Sequence, residues 1–143
     1  MRHALRTERI EVLKAIPLFR TVSNKNLAAA DSLVADDGAE PGELIVREGQ
    51  PGREFFIIVS GEALVTLDGR MVARLGPGEF FGEVALLGRG HLRTATVMAL
   101  TPMRLLVIDP RQFSTLLQMD GVAKSMLHEV VERLNPAVVQ RPA

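Results

Sequence analysis

Residues 80–97 read FFGEVALLGRGHLRTATV. The stretch opens like the end of a strand, passes through a short apolar segment and closes on the β-prone run Thr94-Ala95-Thr96-Val97. If residues 83–87 make one helical turn after the Gly76-Pro77-Gly78 bend, their first backbone N–H groups are unpaired and converge, which suits an anion. Gly82 lets a ligand or a backbone approach closely, because no Cβ intrudes. Arg93, at the start of the following strand, can make a forked, charge-assisted contact to a phosphate. Glu83 would repel a phosphate, yet it suits hydroxyl groups on the same molecule, as a carboxylate does toward ribose. Phosphate donors beside a hydroxyl acceptor point to a nucleotide. Arg89 competes for the phosphate role, and Arg93 is preferred because a strand follows it directly.

Each residue also has a plainer explanation. An arginine at a strand start is commonly solvated, and a glutamate favours a helix N-terminus through the dipole alone. Their joint occurrence in one short stretch is what points to a site. Gly88-Arg89-Gly90 lacks the strand–loop–helix setting and the lysine of a phosphate-binding P-loop, and the Gly76-Pro77-Gly78 glycines fit turn chemistry.

Outward from this stretch, the chain of 143 residues has room for one core. Lys plus Arg equals Asp plus Glu at 17 each, so no overall basic excess marks it as a nucleic-acid binder. There is no cysteine, which removes disulfides, thiolate zinc sites and cysteine nucleophiles together. His3, His91 and His128 lack metal-ligand spacing, and no Ser, His and Asp are placed as a triad. The N-terminus leads into charged residues instead of an apolar signal segment, and no run approaches the roughly 18 apolar residues of a membrane span. A cytoplasmic, non-catalytic protein with no metal and no cofactor is expected.

Three sectors follow. Residues 1–38 read as a helical lead-in: Ile10, Leu13 and Ile16 share a face, Pro17 interrupts, and Ser23 caps a second helix running through Leu27, Leu33 and Val34. Residues 39–108 hold short β-prone runs separated by glycines, with Asp68-Gly69 as a hairpin signal. Residues 109–135 read as two helices: Asp109-Pro110 starts the first, Asp120-Gly121 separates them, and 136–143 is a tail. The fold class expected is mainly β with flanking helices, a double-stranded β-helix or jelly roll between N-terminal and C-terminal helices.

Phe81-Gly82-Glu83-Val84-Ala85-Leu86-Leu87 followed by Arg93-Thr94-Ala95-Thr96-Val97 resembles the phosphate-binding cassette of the cyclic nucleotide-binding domain family, here spanning residues 80–97. Pro41 to Gly49 is similar to the family's early hairpin, Phe56 to Ala63 to its next strand pair, and Ile16-Pro17-Leu18-Phe19 to its helical lead-in. The resemblance covers about residues 12–134. It implies that Glu83 and the Gly82 backbone bind a ribose 2′-hydroxyl, and that the Ala85 and Thr94 N–H groups with the Arg93 side chain hold a cyclic phosphate. Val84 and Ala95 complete the expected ligand-binding set. Leu86 stands where the family has a hinge contact, and the last helix would fold over the purine as a lid. Val65, Arg133 and Leu134 are the candidate purine contacts, since the chain has no Trp or Tyr to stack on a base. Two departures stand out: the Glu83-to-Arg93 segment is one residue longer than in the kinase-type cassette, and Leu92 replaces the proline that often precedes the arginine.

The function implied is a cyclic nucleotide sensor, cAMP favoured and cGMP permitted by Thr94, that relays binding through its C-terminal helices. Its partners would be the nucleotide and an effector, either another protein or a domain outside this sequence, with no contact to nucleic acid or membrane. The apolar stripe from Val122 to Leu134 packs on the β-roll and is also a candidate homodimer seam. The alternatives are a β-roll that has lost its ligand and serves protein–protein contact, or a fragment of a DNA-binding regulator. The nine residues after Leu134 cannot hold a helix-turn-helix.

Overall fold

The computed structural model describes residues 2–82 and 92–134, with side chains for residues 8–82 and 92–132. Helix α1 (Arg2–Ala15) is followed by a 3-10 turn (Pro17–Phe19) and helix α2 (Asn24–Asp31). The strands are β1 (Ala35–Ala39), β2 (Leu44–Val46), β3 (Phe55–Ser60), β4 (Ala63–Leu67), β5 (Arg70–Leu75), β6 (Phe80–Phe81), β7 (Thr96–Ala99) and β8 (Met103–Ile108). Helices α3 (Pro110–Leu117) and α4 (Val122–Leu134) complete the order. Two antiparallel sheets form, β1-β8-β3-β6 and β2-β7-β4-β5, the double-sheet roll expected from the short, glycine-separated runs.

The continuous apolar run of β3 is explained by burial on both faces. Side chains alternate along a strand, so Phe55 and Ile57 face the helices while Phe56 and Ile58 face the interior of the roll. Strand β8 does the same, with Leu106 and Ile108 outward and Met103 and Leu105 inward. The outer core joins this sheet to Leu13, Phe19 and Leu27 of the N-terminal helices and to Phe113, Leu116 and Val122 of the C-terminal ones. The inner core lies between the sheets around Val46, Phe56, Phe81, Val97 and Leu105.

Local signals act as the residues suggest. Ser23 Oγ accepts from Asn26 N–H at 3.2 Å, and Asp109 Oδ1 accepts from Gln112 N–H at 2.9 Å, each capping a helix. Asp68 and Gly69 both take positive φ, 51° and 78°, and Leu67 pairs with Arg70 across the two-residue turn. Gly121 separates α3 from α4 where the chain passes against Thr21.

One segment departs from expectation. Helix α2 stops at Asp31, and Ala35–Ala39 is a strand, where the sequence suggested helix through Val34 and β-structure only from residue 39. The sequence Ala-Asp-Asp-Gly-Ala carries no β-propensity of its own; tertiary pairing imposes the strand. Ser32 Oγ donates to the Ala29 carbonyl at 2.7 Å, and Arg9 Nη2 donates to the carbonyls of Asp31 and Val34 at 2.7 and 2.8 Å, which satisfies the helix end. Arg9 also pairs with Asp31 at 2.7 Å and Asp36 at 3.2 Å, while Arg104 of β8 reaches Asp36 at 3.0 Å and Glu8 at 3.2 Å. This chain of ion pairs fixes α1 and β1 to the edge of the sheet. Strand β7 likewise begins at Thr96, two residues later than the sequence suggested.

Candidate functional site

Arg93 belongs to a short segment bonded to the β2–β3 loop. Its N–H donates to the Gln50 carbonyl at 2.9 Å, its carbonyl accepts from Gly49 N–H at 2.8 Å, and neighbouring Leu92 bridges to Pro51. These bonds turn the Arg93 side chain inward, where it is 6% exposed. Nη2 donates to the Glu54 carbonyl at 2.9 Å, Nη1 makes a longer contact of 3.4 Å to the Gly82 carbonyl, and the guanidinium lies 5.8 Å from the centre of the Phe56 ring. Phe56 in turn stacks on Phe81, with centroids 4.8 Å apart and planes at 14°. The nearest carboxylate among the described residues is Glu54, at 4.0 Å. Burial pushes the Arg93 pKa below its ordinary value, and the Glu54 charge offsets part of that. A guanidinium stays protonated all the same, so the site holds a fixed positive charge.

Beside it opens a pocket of about 480 Å³, lined by residues 44–47 of β2 and its exit, residues 50–52, Glu54, Phe56 and Arg93. That volume falls within the roughly 300–1,000 Å³ of small-molecule sites. Leu44, Ile45, Val46 and the Phe56 ring supply its apolar wall, and Arg47, Gln50, Glu54 and the Arg93 guanidinium supply polar groups. Among the described residues no cluster of His, Cys, Asp and Glu could hold a metal.

Two glycines make room for the arginine. Gly82 closes β6 with φ +94°, and a Cβ there would stand 2.7 Å from the Glu54 carbonyl oxygen and 3.0 Å from Arg93 Nη1. Both conformation and space therefore demand glycine. Gly52 is different: its φ is not in the left-handed region, but a Cβ would overlap Arg93 Nε. Gly52→Ala is therefore expected to keep the fold and displace the guanidinium. The expected result is anion binding at this guanidinium weakened on the order of tenfold, about 1.4 kcal/mol, with an unchanged urea midpoint.

Of the residues expected at the site, the structure brings Gly82 and Arg93 together. Thr94 is exposed and Ala95 half-buried on the approach to β7. Glu83, Val84, Ala85 and Leu86 lie outside the described residues, as does Arg89. Val65 is half-buried against the inner core and does not line the pocket. Arg133 and Leu134 end helix α4, and their side chains lie outside the described set. Gly52, Glu54 and Phe56 were not singled out from the sequence as site residues. The available signal was Gly-Gln-Pro-Gly at 49–52, a turn placed shortly before Glu54 and the strand that carries Phe56.

The class defined by these features is a helix-flanked β-roll with a buried cation at a nucleotide-sized pocket. The chain belongs to the cyclic nucleotide-binding domain family, whose model matches residues 39–120. Relatives include a candidate potassium channel protein of Rhodopseudomonas palustris, 33% identical over 121 residues, 82% of this chain and 29% of that one. A cGMP-dependent protein kinase of Drosophila melanogaster is 33% identical over 115 residues, 75% of this chain and 12% of that one. Among solved structures, a cAMP-binding acyltransferase of Mycobacterium smegmatis is 32% identical with a TM-score of 0.74, covering 91% of this chain and 42% of that one. The chain spans less than a third of the length of these two curated relatives. No described helix is long and apolar enough to cross a membrane.

Proposed function

We propose that this chain is a non-catalytic sensor that binds a cyclic nucleotide, with Arg93 as the phosphate anchor. The observation that carries this reading is a guanidinium 6% exposed at the end of a nucleotide-sized pocket, with only a loosely held carboxylate near it among the described residues. A buried charge is costly unless it is paired, and a phosphate supplies the pairing in the forked geometry arginine favours. Glu83 and the Gly82 backbone take the ribose hydroxyl; the N–H groups of Ala85 and Thr94 complete the phosphate grip, flanked by Val84 and Ala95.

Cyclic AMP is the preferred ligand in this reading. The acyltransferase is cAMP-binding by name and the kinase cGMP-dependent, and Thr94 is compatible with both. Output runs through α3 and α4, whose Phe113, Leu116 and Val122 share the outer core with Phe55 behind Glu54. The ligand shifts those helices only by its difference in affinity for their two placements. Leu86 acts as the hinge, and the effector is another protein or a further part of a longer polypeptide.

Thermal unfolding with all three ligands at one common concentration, about 100 times the Kd for cAMP, tests this. A ligand at 100 times its Kd adds about 2.7 kcal/mol, so cAMP should raise the midpoint by several degrees. Cyclic GMP should raise it less, and 5′-AMP, which lacks the ring, hardly at all. Equal stabilisation by 5′-AMP would refute a site built for the cyclic phosphate.

A further inference from the structure

The only described carboxylate within 4.0 Å of Arg93 sits in an unusual position for a structural partner. Its distance is at the limit of an ion pair, and its side chain is 53% exposed while that of Arg93 is 5% exposed. What positions the arginine is the Glu54 backbone, whose carbonyl accepts from Nη2 at 2.9 Å. That backbone is fixed, because Phe55 is buried in the outer core and Phe56 in the inner one. Among the described residues the carboxylate accepts a weak local bond, from Arg53 N–H at 3.4 Å. Glu54 therefore joins a rigid main chain to a side chain that can leave by rotation alone. It also lines the pocket.

We propose that the Glu54 carboxylate competes with the ligand for Arg93. It is the counter-ion that an incoming phosphate displaces, and it thereby sets the affinity for anionic ligands. A phosphate and this carboxylate carry like charge and cannot both lie against one guanidinium without repulsion. This rests on reading the pocket as a phosphate site, and it runs opposite to a positioning role: removing the charge tightens binding.

The test measures binding to wild type, Glu54→Gln and Glu54→Asp, with the Arg93 Nε–H resonance as a local reporter. The probes are cAMP, adenosine and inorganic phosphate. Glu54→Gln should bind cAMP and phosphate about three- to tenfold tighter, with the affinity for uncharged adenosine unchanged. Glu54→Asp keeps the charge and should stay near wild type. Unchanged or weaker phosphate binding by Glu54→Gln overturns the proposal, as does equal tightening toward adenosine or by Glu54→Asp. The two readings fail separately. Absence of cAMP binding by wild type refutes the nucleotide site, while the phosphate titration still decides the role of Glu54.

Discussion

Replacing Arg93 by methionine should abolish measurable cyclic nucleotide binding without lowering the stability of the protein. Truncating one partner of a buried charge pair costs about 2–5 kcal/mol of binding, which corresponds to roughly 30- to several-thousandfold in Kd. Stability should move the other way or not at all. The guanidinium is almost fully buried, and among the described residues it has two carbonyl contacts, one of them 3.4 Å long, and a carboxylate at 4.0 Å. Apolar replacement of a buried ion of similar volume is often neutral or stabilising. Arg93→Lys should fall between, because an ammonium cannot supply the planar fork. Titration calorimetry paired with urea unfolding separates the two effects. A methionine variant that binds as wild type does would remove Arg93 from the site. One that unfolds markedly earlier would make it a structural residue.

Phe55→Ala should show the opposite pattern, a large loss of stability. Its side chain is fully buried, with ring centroids 5.4 Å from Phe80 and 4.9 Å from Phe113. Truncating a phenylalanine in such a core costs about 3–5 kcal/mol, a large share of the roughly 5–15 kcal/mol that holds a typical domain together. These rings join β3, β6 and α3, so the loss falls where the roll meets its C-terminal helices. The expected result is a urea midpoint lowered by a third or more, with an m-value near that of wild type. A loss below about 1 kcal/mol would mean that the outer core repacks easily and cannot couple the sheet to the helices.

The contrast between Arg93 and Phe55 shows what the sequence reveals and what it conceals. Strands such as Phe55–Ser60 and Met103–Ile108 were legible because their residues favour β-structure and turn residues bound them. The capping residues Ser23 and Asp109, the Asp68-Gly69 turn and the break at Gly121 were legible because each acts through its own backbone neighbourhood. Strand β1 was not, since Ala35–Ala39 owes its conformation to β8 and to the Arg9, Arg104 and Asp36 ion pairs from distant parts of the chain. The same distinction holds at the site. Arg93 and Gly82 stood out because they share one short stretch with a family pattern. Gly52 and Glu54 lie about 40 residues upstream and meet Arg93 only through the pairing of residues 49–51 with 92–93. A glycine required for space leaves no mark in sequence that separates it from a glycine required for a turn.

The central claim is that the Arg93 guanidinium grips the cyclic phosphate of a nucleotide lying in this pocket. A crystal structure of the protein with cAMP tests it most directly. The expected result is a forked contact of about 2.8 Å from Arg93 to the phosphate oxygens, with the Glu54 carboxylate turned to solvent and Glu83 on the ribose hydroxyl. A nucleotide bound elsewhere, or in the pocket with no contact from Arg93 to its phosphate, would contradict it.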